Sequence, residues 1–136
     1  MKLPKYPIIY LDKSLSQIYS LRLSYSINIH QFKTPLTGYK SGSLPFILDN
    51  GAYSGYCSNK FSNYCKKYID DPMCQFIVIP DVPFNHFLTL EQFNLLVHSY
   101  RIPVSKTAFV AQNGSSISNI PWDEFQCLFI GGDDYF

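Results

Sequence analysis

Apolar residues along this chain follow two alternating patterns. Short continuous runs at 45–48, 76–79, 107–111 and 127–130 are each closed by polar or glycine residues. Runs of that length and bounding predict strands buried on both faces, as in a parallel sheet. Between them lie stretches with helical spacing. In 59–69, Phe61, Tyr64, Cys65, Tyr68 and Ile69 recur at i, i+3, i+4, i+7 and i+8, one buried stripe that Pro72 stops. In 89–101, Leu90, Phe93, Val97 and Tyr100 form a second stripe, with Thr89 as the expected cap and Pro103 beyond the end. A short helical segment is expected at 121–125. The first 45 residues are less legible: a strand at 7–11, a helix capped by Ser14 and running to about Leu23, a strand at 24–29, and a loop at 34–43 carrying Pro35, Gly38 and Gly42. There is no internal repeat or low-complexity segment.

Strands that alternate with helices predict βαβ units and a parallel sheet. The expectation is one α/β domain over residues 1–136 of the (β/α) barrel type. At 136 residues it is short of the roughly 250 of a complete eight-unit barrel, so the barrel is expected to be incomplete, the N-terminal portion of a TIM-like fold.

The polar residues that close the strands carry the chemistry. Asp49, Asp81, Gln112 and Gly131 follow the four apolar runs at spacings of 32, 31 and 19 residues. In barrels and in open parallel sheets, ligands bind at the carboxyl ends of the strands, so these four would line one pocket. Each also has a plainer reading: Asp49 and Asp81 as helix caps or turn formers, Gln112 as a turn residue, Gly131-Gly132 as a tight turn. Two carboxylates, an amide and a close-approach glycine suit a flat heterocycle with several N–H donors, such as a guanine-like base. The carboxylates accept from ring and exocyclic N–H groups, the amide donates to a carbonyl, and the glycine backbone meets the ring edge. Tyr53, four residues after Asp49, could stack on such a base or pack in the core.

Composition changes this picture little. Hydrophobic residues at 46% and charged ones at 15% belong to a globular chain, and no apolar run approaches the roughly 18 residues of a membrane span. The N-terminus lacks a signal-peptide pattern, and a cytoplasmic location is the default. Residues 1–67 hold nine Lys or Arg against Asp12 and Asp49, whereas the remainder holds Arg101 and Lys106 against eight acids. The basic half could face phosphate, or the charges could simply be solvated faces. Cys57, Cys65, Cys74 and Cys127 form no C-x-x-C pair, and no His lies at zinc-finger spacing. They read as reduced thiols near the core, with no metal site and no cofactor expected. P-loop and G-x-G-x-x-G motifs are absent. His30, His86 and His98 are scattered, with none expected to pair with a nucleophile and His98 expected near the surface.

The strand ends also carry a resemblance. Asp49-Asn50-Gly51-Ala52-Tyr53-Ser54 resembles the D-S-G-G-[FY]-Q segment of tRNA-guanine (queuine-type) transglycosylases, in the form found in phage and bacterial relatives that insert deazapurines into DNA. Ile79-Pro80-Asp81-Val82, Val110-Ala111-Gln112-Asn113-Gly114 and Phe129-Ile130-Gly131-Gly132 are similar to the strand ends that follow, in the same order. The resemblance covers about residues 44–136; residues 1–43 add nothing to it. It implies exchange of guanine for a 7-deazaguanine in DNA or tRNA through a covalent glycosyl–enzyme. By position, Asp49 matches the acid/base residue, Asp81 and Gln112 the base-edge readers, Gly131 and Gly132 the backbone contacts, and Tyr53 the stacking face. Asn50, Ala52 and Ser54 depart from the tRNA enzymes' pattern. The family's nucleophile and zinc site lie downstream of the Gly-Gly strand, whereas this sequence continues only four residues past Gly132. Asp133 and Asp134 do not match the nucleophile's motif. The expectation is therefore a base-binding part that does not exchange alone, with an open sheet edge that self-associates or takes a partner chain. Two other readings stay open: a non-catalytic module for a nucleobase or nucleic acid, and a protein-interaction domain.

Overall fold

In the computed structural model the described residues are 9–11, 15–25, 28–34, 44–52 and 58–133. They form strands β1 (Ile9–Leu11), β2 (Ile29–Lys33), β3 (Phe46–Leu48), β4 (Cys74–Val78), β5 (Thr107–Ala111) and β6 (Cys127–Ile130), and helices α1 (Leu15–Tyr25), α2 (Ser58–Tyr68) and α3 (His86–Tyr100). The strands lie side by side in chain order, and the five pairings among them are all parallel. A doubly wound sheet reverses its strand order at a switch point. Here the order never reverses, and the sheet curls into a half-barrel, the course that β-α-β connections of one hand impose. The curl can be measured. Phe32 on β2 and Phe129 on β6 stack with ring centroids 6.1 Å apart, although four strand spacings separate them. In a flat sheet that separation would be about 19 Å.

Curling creates two unlike faces. On the convex face, Phe46, Leu48, Ile77, Ile79, Phe109 and Ala111 alternate along their strands and pack against Phe61, Cys65 and Tyr68 of α2 and Phe93 and Leu96 of α3. Among the described residues the concave face is built from strands alone: Val78, Ala108 and Val110 with Phe32, Phe76, Cys127 and Phe129. Lower on it, the Tyr10 hydroxyl donates to Gln75, and the Tyr10 ring meets His30 edge-on at 5.4 Å. Cys65 and Cys74 are buried free thiols on the convex side, as expected of structural cysteines, while Cys57 lies outside the described residues.

Three local expectations are corrected. The strand expected at 24–29 is displaced: α1 continues through Tyr25, and the strand is Ile29–Lys33. Polar Gln31 and Lys33, 1% and 2% exposed, hid that strand, while exposed Leu23 and Tyr25 gave no buried contact to end the helix. Residues 121–125 make turns, with Glu124 N–H donating to the Pro121 carbonyl at 3.0 Å, and no helix. Helix α3 starts before Thr89, because Asn85 supplies the cap and its side chain accepts from Leu88 N–H at 3.0 Å.

Candidate functional site

The pleat decides where the strand-end residues point. Phe46 and Leu48 face the helices, so Ile47 and, two residues on, Asp49 take the concave side. Val110 and Phe129 are concave residues, so Gln112 and Gly131 follow with the same parity. Asp49, Asp81, Gln112, Gly131 and Gly132 all line one cleft of about 240 Å³ at the carboxyl end of the sheet, together with Asn50, Val78, Val110, Phe84 and Phe129. Tyr53 lies outside the described residues.

Asp81 comes three residues after the end of β4, beyond the reach of the pleat, and hydrogen bonds orient it. Asn50 Nδ2 donates to Asp81 Oδ1 at 2.8 Å and to the Ile79 carbonyl at 3.0 Å. Gln112 Nε2 donates to Asp81 Oδ2 at 2.6 Å. Two strands thus clamp the carboxylate through amides, and each oxygen keeps a second lone pair for a ligand. Thr89 closes the loop from below, accepting from Val82 N–H and donating to the Val82 carbonyl at 3.0 and 3.1 Å. Asp49 is half-buried, and its Oδ2 accepts from Gly51 N–H at 3.2 Å, where Gly51 takes φ +74°.

The Gln112 amide serves two structural bonds. Its oxygen accepts from Phe84 N–H at 2.9 Å while its nitrogen holds Asp81. One amide N–H is left for a ligand carbonyl. Gly131 is glycine because of this side chain: a Cβ there would lie 2.6 Å from Gln112 Nε2 and 3.2 Å from Val110 Cγ1. Gly132 has a different reason, its φ of +99°.

Beneath the cleft lies a pairing that spacing along the chain did not reveal. His86, wholly buried at the start of α3, places Nδ1 2.7 Å from Ser115 Oγ, which accepts from Gln112 N–H at 3.0 Å. The pair props the end of β5. His98 is on the exposed face of α3, as expected. Asp133 stands at the rim and accepts from Asn113 Nδ2 at 2.7 Å; Asp134 lies outside the described residues. Asn50 and Phe84 are among the lining residues that sequence reasoning did not single out. Asn50 had a signal, an amide directly after a strand-end carboxylate. Among the described residues no group of His, Cys, Asp or Glu is arranged to hold a metal, and no helix is long and apolar enough to cross a membrane.

Fold and cleft together define an incomplete β/α barrel with a polar pocket at its strand ends. No protein-family model, curated protein or solved structure matches the chain.

Proposed function

We propose that the cleft binds a planar, N–H-rich heterocycle of the guanine type, and that the chain is the base-binding part of a transglycosylase exchanging guanine for a 7-deazaguanine in DNA or tRNA. One observation carries this reading: Asp49, Asp81, Gln112 and Gly131, the ends of four different strands, meet in a single cleft. The clamped Asp81 is a fixed acceptor for paired N–H groups, and it costs no reorganisation when a ligand arrives. A volume of about 240 Å³ is below that of drug-sized pockets and favours one fused ring system. Val78, Val110 and Phe129 give the cleft apolar walls for the faces of such a ring. Asp49, at the end of the neighbouring strand, would be the group that moves a proton at the base edge.

The test is calorimetric titration with guanine and 7-deazaguanine, beside exchange of labelled guanine into DNA and tRNA. The 136-residue chain is expected to bind and not to exchange, because the resemblance gives the nucleophile no position in it. Asp81→Ala should abolish binding, since it removes the acceptor and leaves the Asn50 and Gln112 amides without their partner; Asp71→Ala, outside the cleft, should not. Failure of the native chain to bind either base would overturn the reading.

A further inference from the structure

Resting on the base-binding reading, we infer that Phe84 is the aromatic platform on which the planar ligand stacks, and that its loop is built to hold the ring at the cleft mouth. Phe84 lines the cleft yet is 54% exposed, a large apolar side chain left in water beside polar groups. Its backbone is more telling. Asn85 N–H donates to the Val82 carbonyl at 3.1 Å, closing a β-turn with Pro83 and Phe84 at its centre, and Phe84 takes φ +65°. A turn with proline first and positive φ second ordinarily places glycine or asparagine at the second position. Among the described residues only Phe84 and Arg101 take positive φ without being glycine, and Arg101 merely ends α3. An aromatic residue held in the left-handed region, with its ring uncovered, gives the fold nothing that glycine would not give better.

The same loop ties the ring to the recognition groups. Gln112 accepts from Phe84 N–H and donates to Asp81, so one amide sets both the stacking face and the carboxylate edge. A heterocycle on Phe84 would present its edge to Asp81.

The experiment is calorimetric binding of guanine and 7-deazaguanine to the full chain and to Phe84→Ala, Phe84→Gly and Phe84→Trp, with a melting curve for each. Phe84→Ala and Phe84→Gly should raise Kd by about tenfold or more, the usual effect of removing one base-stacking ring. Phe84→Gly should melt at or above the native temperature, because glycine accepts the positive φ freely. Phe84→Trp should keep the affinity, and its emission, read against the native chain's Trp122, should be quenched on binding. Native binding with unchanged affinity in Phe84→Ala overturns the platform and leaves the base-binding reading standing. No guanine binding, but quenching of Phe84→Trp by another flat heterocycle such as adenine or a flavin, keeps the platform and overturns the base reading. No guanine binding and no quenching by any of them overturns both. A clear drop in the melting temperature of Phe84→Gly, or lost self-association at unchanged ligand affinity, assigns the ring to packing or protein contact and overturns the proposal.

Discussion

The two faces of the curled sheet share strands and backbone but do different work. The convex face is a largely apolar layer that buries strand residues against two helices. The concave face has no helix over it among the described residues, and its strands end in the polar cleft. Adjacent residues of one strand therefore serve opposite ends: Phe109 anchors α3 while Val110 walls the cleft, and Leu128 packs outward while Phe129 faces the cleft. A parallel strand with period 2 makes this division possible without any insertion.

The sharpest test of that division is a matched pair of truncations. Phe109 is wholly buried, edge-on to Phe93 at 5.0 Å and stacked on Phe125 at 5.6 Å. Phe109→Ala should cost about 3–5 kcal/mol in urea unfolding, enough to leave a small domain largely unfolded. Phe129 is only half-buried, and Phe129→Ala should cost about 1–2 kcal/mol while weakening any ligand of the cleft. Equal losses of stability would erase the distinction between the faces.

A smaller effect is expected at Lys33, a buried charge on the convex face. Its ammonium is buried without a hydrogen-bond partner, 4.6 Å from the Phe46 ring centre and 5.4 Å from that of Tyr68. Burial holds its pKa below the ordinary 10.5, with the Lys67 charge adding to the shift. The unfolded chain therefore binds this proton more tightly, and the native chain gains stability as pH rises through the window below 10.5. Lys33→Met keeps the stem's packing and should stabilise by about 1 kcal/mol at pH 7. That gain should shrink as pH approaches 10; a gain that grows with pH in paired urea titrations would contradict the assignment.

The smallest effect is kinetic and leaves the fold intact. Burial pushes the Cys65 thiol up to about 12 and Cys74 up to about 11, and both lie under the helices. Cys127, half-buried on the concave side, is raised less. Since the thiolate is the nucleophile, iodoacetamide at pH 8 should modify Cys127 well before Cys65 or Cys74 in native protein, as read by peptide mapping. Early modification of Cys65 would mean that the convex layer opens more readily than its packing implies.

Much of this was legible in the chain because local pattern and burial agree from Phe46 onward. Strands β3, β5 and β6 fall within a residue of the apolar runs, and α2 lies on its periodic stripe. Asp49, Asp81, Gln112 and Gly131 could be singled out because polarity changes abruptly where each strand ends. Residues 9–34 were misread where burial contradicts polarity, at Gln31 and Lys33 in β2. Hydropathy does not recognise a strand that buries an amide and an amine beside a single isoleucine.

What the sequence by itself determined is the class of the fold and the identity of the strand-end residues, since both follow from period-2 and period-3.6 patterns that local chemistry imposes. Only the tertiary structure decided what those residues do to one another. That Asn50 and Gln112 clamp Asp81, that Gln112 and Gly131 share one small space, and that His86 finds Ser115 are contacts spanning 19 to 31 residues of chain. They exist because an unreversed strand order curls the sheet and brings four strand ends to one rim. Nothing in local spacing specifies that curvature; it comes from strand twist and from helices packed on a single face.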